Sequence, residues 1–256
     1  MRLEGRVVDG SGSLAALSGV RADASVVGVT VTATQDGVTV DSTETGVEGT
    51  FQLAVMPGLV TLRFMAQGVD VSNGLTVPEG ASFAITVTLT PNAATVDDAV
   101  LTRSALACES GELGLDLGAT TSLVIDGDGQ ACVRTVGNCA VSVRARELTL
   151  KDCGNCVDAQ GTSDVSLVSV DGDLSCESSG NGIDAGGTPN VHLSSAGELT
   201  IEAGGDHAIA ATGNATVAIE SPVSCLVHGR DGAIHAQGGA TVTTDGCVVL
   251  DSGDSG

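Results

Sequence analysis

The sequence predicts an all-β protein in which a small antiparallel β-sandwich precedes a right-handed parallel β-helix of about six rungs. Two observations predict this fold. Residues 147–256 repeat nearly the same pattern about every 25 residues, and residues 1–95 contain short alternating segments separated by turn signals. We therefore expect two domains, the sandwich at 1–95 and the β-helix at 96–256.

The repeat in the second half is marked by an alanine that recurs at positions 159, 185, 211 and 236, in steps of 26, 26 and 25. A fixed period of this size is typical of stacked structural units. Each copy holds three short segments with alternating apolar and polar residues, which indicates strands with one buried face. Such copies can lie on one another as rungs of a parallel β-helix. A Greek-key sandwich with accidental similarity between the copies is the alternative.

Stacked rungs place equivalent side chains about 4.8 Å apart, so the period predicts interior columns. The alanine column predicts a tight corner. Counting back one period from Leu123-Val124-Ile125 reaches Asp98-Ala99-Val100, and we expect the coil to begin there. Two apolar columns are predicted: Leu148, Leu174, Leu199, Cys225 and Val248 in the first, and Val157, Ile183, Ile209 and Ile234 in the second.

The first 95 residues read as about seven short strands, which favours a small antiparallel β-sandwich. Their order resembles the carboxypeptidase regulatory-like (transthyretin-like) family of sandwich domains. The resemblance implies an accessory module, common in bacterial surface and secreted proteins, without catalytic residues of its own. The residues that carry it are Gly5-Arg6-Val7-Val8-Asp9, Gly28-Val29-Thr30-Val31, Gly49-Thr50-Phe51-Gln52-Leu53 and Pro57-Gly58.

The chain has 32 acidic and 10 basic residues and a net charge of −22. This balance argues against nucleic acid or an anionic membrane surface as a partner. It favours either cations as partners or a role of the charge in solubility alone. No apolar run approaches the roughly 20 residues that span a bilayer. The first residues do not form a signal peptide, so we expect a cytosolic protein or a chain whose leader is missing.

Eight cysteines leave two interpretations open. Their even number suits disulfides in an oxidising compartment, and a bridge from Cys108 to Cys132 would span about one rung. Cys176 and Cys225, however, occupy interior columns, where cysteine behaves as a small hydrophobe. The Cys153-Gly154-Asn155-Cys156 spacing is also that of a zinc half-site or redox motif, but it lacks a second pair and a βαβ context.

Outward positions predict ladders of charged side chains. Lys151 is expected to relieve Glu177 in one column, and His228 to relieve Glu202. Glu147, Asp173 and Glu198 form a column without a basic neighbour, and their stacked carboxylates would suit Ca²⁺. The alternative is that these side chains splay into water. The Asn155, Asn181, Asp206 and Asp231 ladder is interpreted as structural, because Asn and Asp stabilise turns.

The repeats also resemble carbohydrate-binding β-helix proteins of bacterial surfaces, most closely at Arg230-Asp231-Gly232-Ala233-Ile234-His235-Ala236. This resemblance implies a secreted or surface polysaccharide binder, with Ca²⁺ as a candidate cofactor. The chain has no Trp or Tyr on which a sugar ring could stack. Asp158 and Asp184, with Arg230 or His235, are the candidate residues for cleavage of an acidic polysaccharide. Rungs of nearly constant length leave no long loops to wall a cleft.

Our leading hypothesis is a non-catalytic extracellular or cell-surface protein that acts by adhesion or by end-to-end assembly with itself. A β-helix with an open last rung offers an unpaired strand edge to another chain. A calcium-assisted binder of acidic polysaccharide is the first alternative. A polysaccharide lyase or hydrolase is the second.

Overall fold

The structure is a computed structural model that describes residues 1–10, 26–66, 68–205 and 207–251. It confirms an all-β fold with a small antiparallel sheet and a parallel β-solenoid of about six turns. The chain divides into two compact units, Met1–Thr102 and Arg103–Gly256. The division follows Thr102 rather than residue 95, because residues 93–102 pair with a strand of the first unit.

The first unit contains eight strands among its described residues, against the predicted seven or so. A short 3₁₀ turn at Val47–Gly49 precedes the fourth. The strands are β1 (Arg2–Asp9), β2 (Thr30–Gln35), β3 (Val38–Glu44), β4 (Thr50–Ala54), β5 (Gly58–Ala66), β6 (Val69–Val77), β7 (Ser82–Thr90) and β8 (Ala93–Ser104).

These strands form two sheets with a shared apolar core. One sheet has the order β3-β2-β5-β6 and is antiparallel throughout. In the other, β1 pairs antiparallel with β4 and parallel with β7, and β7 pairs antiparallel with β8. Phe51 of one sheet meets Phe64 of the other edge to face, with ring centroids 6.2 Å apart. A Cβ at Gly5 would overlap the Phe51 ring, which explains the glycine in β1.

The second unit is built from short strands that pair in parallel with the equivalent strands of neighbouring rungs. Its strands are β9 (Leu106–Asp116), β10 (Thr121–Asp126), β11 (Val133–Ala145), β12 (Leu148–Cys153), β13 (Val157–Gly161), β14 (Asp164–Ser169), β15 (Leu174–Ser178), β16 (Ile183–Gly187), β17 (Asn190–Ser195), β18 (Glu198–Ala203), β19 (His207–Gly213), β20 (Thr216–Gly229), β21 (Gly232–Ala236) and β22 (Thr241–Asp251).

The register confirms the predicted interior columns except at one position. Ile183 pairs with Ile209, which in turn pairs with Ile234. In the other column, Leu199 pairs with Cys225, but Cys225 then pairs with Cys247 rather than Val248. A register shift between Glu220 and Cys225 moves Val248 beside Leu226, where its side chain is 62% exposed. The prediction that Val248 closes this column was therefore wrong by one residue.

Glycines form the corner that follows each middle strand. Gly161, Gly187 and Gly213 have φ values of 84°, 98° and 77°, a region that side chains with a Cβ rarely adopt. At the same corner, the N–H groups of Thr188 and Asn214 each donate to a glycine carbonyl one rung earlier, at 2.7 Å. The corner therefore requires a glycine for its φ and for the close approach of the preceding rung.

Serines line a second corner from the inside. Ser169 and Ser195 pair across neighbouring rungs, and both are buried. The Ser195 hydroxyl lies 2.9 Å from the carbonyl oxygens of both Gly172 and Glu198. Each serine thereby connects a turn of its own rung to the preceding rung.

All eight cysteines form disulfides, each of which links neighbouring rungs. The Cys108–Cys132 bridge that the spacing allowed does not form, because Cys108 bonds to Cys139 and Cys132 bonds to Cys153. Cys176 and Cys225 are buried, as predicted, but they are bonded rather than free. The metal or redox interpretation of the Cys-x-x-Cys spacing is also wrong here, because Cys153 and Cys156 each bond to a different partner. Four disulfides are consistent with an extracellular protein.

Candidate functional site

The predicted calcium column is in register, but its carboxylates have separate partners. Leu148 and Leu174 pair across rungs, as do Leu174 and Leu199, so the preceding residues Glu147, Asp173 and Glu198 follow one another up the solenoid. A Glu147 carboxylate oxygen accepts a hydrogen bond from the Ser122 hydroxyl at 3.2 Å and lies 3.9 Å from the Arg146 guanidinium. Asp173 accepts the backbone N–H of Glu198 at 2.8 Å.

No group of three or more His, Cys, Asp or Glu side chains suited to a metal ion occurs among the described residues. Calcium binding by this column stays a prediction. A cation bound here would have to displace, or share the carboxylates with, Ser122 and Arg146 at Glu147 and the N–H of Glu198 at Asp173.

Lys151 does not relieve Glu177 as the sequence suggested. Its ammonium group lies 3.1 Å from the Asp126 carboxylate and 3.6 Å from that of Asp152. A register shift between β12 and β15 accompanies this change of partner. The Lys151 ammonium lowers the pKa of the Asp126 carboxyl by hydrogen bonding, helped by the N–H of Asp128. Glu202 and His228 do pair across neighbouring strands.

The outward side of the middle strands, here called the middle-strand face, brings together more titratable groups. Asp158 pairs in register with Asp184, and Arg134 of the preceding rung lies 3.6 Å from the Asp158 carboxylate. Gln160 donates to Asp158 at 2.9 Å. The face consists of Arg134, Asp158, Asp184, Ala210 and His235, in order along the solenoid.

Burial raises the pKa of the Asp184 carboxyl, and the neighbouring Asp158 carboxylate raises it further. A hydrogen bond with Asn181 acts in the opposite direction. Asp184 is therefore the titratable group on this face whose charged form the fold disfavours.

The predicted ladder of Asn and Asp residues makes turn hydrogen bonds at Asn155 and Asn181, whereas Asp231 is exposed. The Asn155 side-chain oxygen accepts the N–H of Asn181 at 2.9 Å, and the Asn181 oxygen accepts the N–H of His207 at 3.1 Å. Each asparagine thus fixes the turn of the next rung. Asp206 lies outside the described residues.

Two histidines lie close together at the last described rungs of the solenoid. The sequence period did not predict their contact. His207 begins β19, and its ring centroid lies 4.8 Å from that of His235 on β21. Both side chains are half-buried. The two histidines are 28 residues apart, more than one rung, so equivalent positions in the repeat did not indicate the contact.

The proposed catalytic residues are not all neighbours. Asp158 and Asp184 are adjacent, but Ala210 separates Asp184 from His235. The arginine beside Asp158 is Arg134, which the sequence reasoning missed, although it lies 24 residues before Asp158. Connections of two residues between β13 and β14 and between β16 and β17 leave this face without loop walls.

Two open depressions lie on the early rungs of the solenoid, between residues 126 and 180. One of about 540 Å³ is lined mainly by acidic side chains, among them Asp126, Asp152 and Glu177. The other, of about 470 Å³, includes Arg134, Asn155 and Asp158. Neither holds a nucleophile beside a general base of the kind that acyl-transfer catalysis needs.

Comparison with known proteins gives little further information. No protein-family model and no curated protein match the chain. The structure of Klebsiella pneumoniae 5-hydroxyisourate hydrolase is similar over 37% of this chain and 89% of its own, with 15% sequence identity and a TM-score of 0.27. A likeness this weak carries no argument about function. In the described part of the chain, no helix has the length and apolar character needed to cross a bilayer.

Proposed function

We propose that this protein is a non-catalytic extracellular or cell-surface module that acts by adhesion or by assembly with further copies of itself. The observation that carries the proposal is the last described rung of the solenoid. Ile234 and Val242 continue interior columns, yet both are only half-buried, whereas Ile209 and Val217 one rung earlier are fully buried.

The backbone of this rung supports the same proposal. Within the described residues of the second unit, β21 pairs only with β19 and β22 only with β20. Among the described residues, the outer edges of β21 and β22 therefore have no partner strand, and such an edge is a template for a strand of another molecule. Contact of this edge with a different surface of another copy is heterologous, and repeated contact that does not close into a ring builds a filament.

The net charge of −22 modulates such an assembly. Copies of the same acidic chain repel one another. At physiological ionic strength, salt largely screens this repulsion between charges that are more than about 8 Å apart. Association driven by strand pairing and apolar contact should therefore strengthen as salt is added. Association driven by ion pairs would weaken.

Sedimentation velocity of the full chain over a range of concentrations tests the proposal. We expect the mean mass to rise with concentration and with salt, and Val242→Lys to suppress the rise by placing an ammonium on the exposed rung. Val248→Lys, on the outer face of the same strand, is a second variant in case Val242→Lys destabilises the fold. Val38→Lys is the matched control, since Val38 is 64% exposed on β3 of the first unit. A strictly monomeric protein at every concentration would refute assembly.

Binding of acidic polysaccharide through Ca²⁺ is the alternative proposal, and the stacked Glu147, Asp173 and Glu198 side chains are what favours it. Calcium titration followed by thermal melting separates the two proposals. A raised midpoint that is lost in Glu147→Gln favours the calcium site, and an unchanged midpoint removes it. Turnover of pectin or alginate would overturn the non-catalytic part of the proposal.

A further inference from the structure

His207 and His235 form a close pair of rings at the last described rungs of the solenoid. Their centroids are 4.8 Å apart and their planes meet at 44°, so the rings are neither stacked face to face nor perpendicular. They stand on β19 and β21, which hydrogen-bond to each other as neighbouring rungs. Both side chains are half-buried, so solvent reaches them.

The separation of the rings fits two imidazoles that share one metal ion. A ring nitrogen lies about 1.1 Å from the ring centroid and binds zinc or copper at about 2.0–2.1 Å, which puts the metal about 3.2 Å from each centroid. Two centroids 4.8 Å apart then subtend about 97° at the metal. This angle lies between about 90° for square-planar and about 109° for tetrahedral coordination.

The surroundings leave room for the remaining ligands of such an ion. The residue that pairs with His235 on the preceding rung is Ala210, whose methyl group leaves space on that side of the ring. His207 is held at its backbone, because its N–H donates to the Asn181 side chain. Parallel strand pairing thus fixes the backbone positions of both histidines, and water can complete the coordination sphere.

The ligand type decides which ions the pair would take. Imidazole nitrogen suits copper, zinc and nickel, and affinity among the divalent ions is greatest for Cu²⁺. Calcium prefers oxygen ligands, so this pair is chemically distinct from the carboxylate column. The chain's charge of −22 raises the local concentration of any cation.

We propose that His207 and His235 form a two-histidine site for a divalent transition-metal ion, with Cu²⁺ bound more tightly than Zn²⁺ and with water in the remaining positions. The proposal does not depend on assembly or on adhesion. It adds a binding activity of the side chains on β19 and β21, whereas the proposed assembly uses the outer backbone edge of β21 and β22.

Titration calorimetry with Cu²⁺ and with Zn²⁺ tests the proposal on the full chain without a histidine tag. We expect one equivalent to bind, and His207→Ala and His235→Ala each to weaken binding about tenfold or more. His192→Ala is the matched control, because His192 faces solvent on β17 and contacts Glu220 at 3.6 Å. It should bind as the parent chain does.

Electron paramagnetic resonance of the Cu²⁺ complex gives a readout that a merely structural role would not move. We expect hyperfine splitting from two nitrogens in the parent chain and from one in either single variant, with excess Ca²⁺ leaving the spectrum unchanged. Circular dichroism identifies any variant that fails to fold. The proposal is overturned if the parent chain binds no stoichiometric ion, or if folded His207→Ala and His235→Ala bind it as tightly as His192→Ala does.

Discussion

At the scale of single residues, stacking couples the charge of one rung to that of the next. Asp158 and Asp184 are in register on neighbouring strands, where like charges destabilise the pairing. Asp158 has a counter-charge in Arg134, whereas Asp184 is partly buried and has only a hydrogen bond with Asn181. Repulsion within this pair therefore mainly destabilises the charged form of Asp184.

This cost predicts a pH-dependent effect of Asp184→Asn. Because the pKa of Asp184 is raised in the folded state, its contribution to stability is fully present below the unfolded pKa of about 3.9 and is lost as the pH rises through the folded pKa. At neutral pH the variant, which cannot ionise, should melt at a higher temperature than the parent. Near pH 3 the two should melt together.

Thermal melting from pH 3 to pH 7 measures this difference. Asp171→Asn is the control, because Asp171 is exposed on the same solenoid and its removal corrects for the general effect of one less negative charge. An equal gain in both variants at neutral pH would mean that the ladder does not penalise Asp184 in particular.

The period predicted which residues are neighbours but not which partners their side chains choose. Asp158 and Asp184 follow from counting, as do Glu202 and His228. The flexible side chain of Lys151 could extend toward Asp126, Asp152 or Glu177. It contacts the two aspartates, next to a register shift between β12 and β15. Such a choice depends on local geometry rather than on composition.

At the scale of the strand and corner, the glycine ladder is the feature that permits tight stacking. A Cβ at Gly187 would lie 2.8 Å from the carbonyl oxygen of Gly161, closer than ordinary contact, and φ at this position is +98°. Positive φ costs a residue with a Cβ roughly 1–2 kcal/mol even without a clash. The corner combines both penalties.

We therefore expect Gly187→Ala to lower the free energy of unfolding by about 2 kcal/mol or more. Gly114→Ala is the matched control, since a Cβ at Gly114, in β9 of the same unit, meets no atom within 4 Å. Urea denaturation followed by circular dichroism compares the two variants. Equal losses would show that the corner tolerates a side chain and that glycine is not required there.

Strand positions were predictable where alternation was regular and were missed where it was not. β6 contains Asn73-Gly74, a pair typical of turns, yet these residues pair with Leu62 and Thr61 in the middle of an antiparallel ladder. Asp98 was assigned to the coil from its spacing, but it pairs with Thr86 of β7. Alternation identifies a strand without identifying the sheet that it joins.

At the scale of the whole molecule, the disulfide bonds all lie in the second unit. All eight cysteines lie between Cys108 and Cys247, and the first unit has none. The disulfide-free first unit relies on its apolar core, which includes Phe51, Phe64 and Phe83. The regular rungs of the solenoid bury only two or three side chains per strand, and the solenoid has a disulfide at four places along its length.

Reduction should therefore weaken one unit and spare the other. Each bridge closes a loop of 20 to 31 residues, and in the chain-entropy description a loop of this size contributes about 3 kcal/mol. We expect a reductant to accelerate backbone hydrogen exchange strongly in β11–β16, where two adjacent bridges link the rungs. Exchange in β1–β7 should be unchanged, as mass spectrometry of the corresponding peptides can measure.

An unreduced sample carried through the same steps is the control, and its peptides should reveal Cys132 joined to Cys153 and Cys156 joined to Cys176. A peptide with Cys153 joined to Cys156 would contradict the rung-to-rung pairing. Equal acceleration in β1–β7 would contradict the separate stabilisation of the units. If exchange changes in neither unit, the hydrogen bonds between stacked rungs stabilise the solenoid without its disulfides.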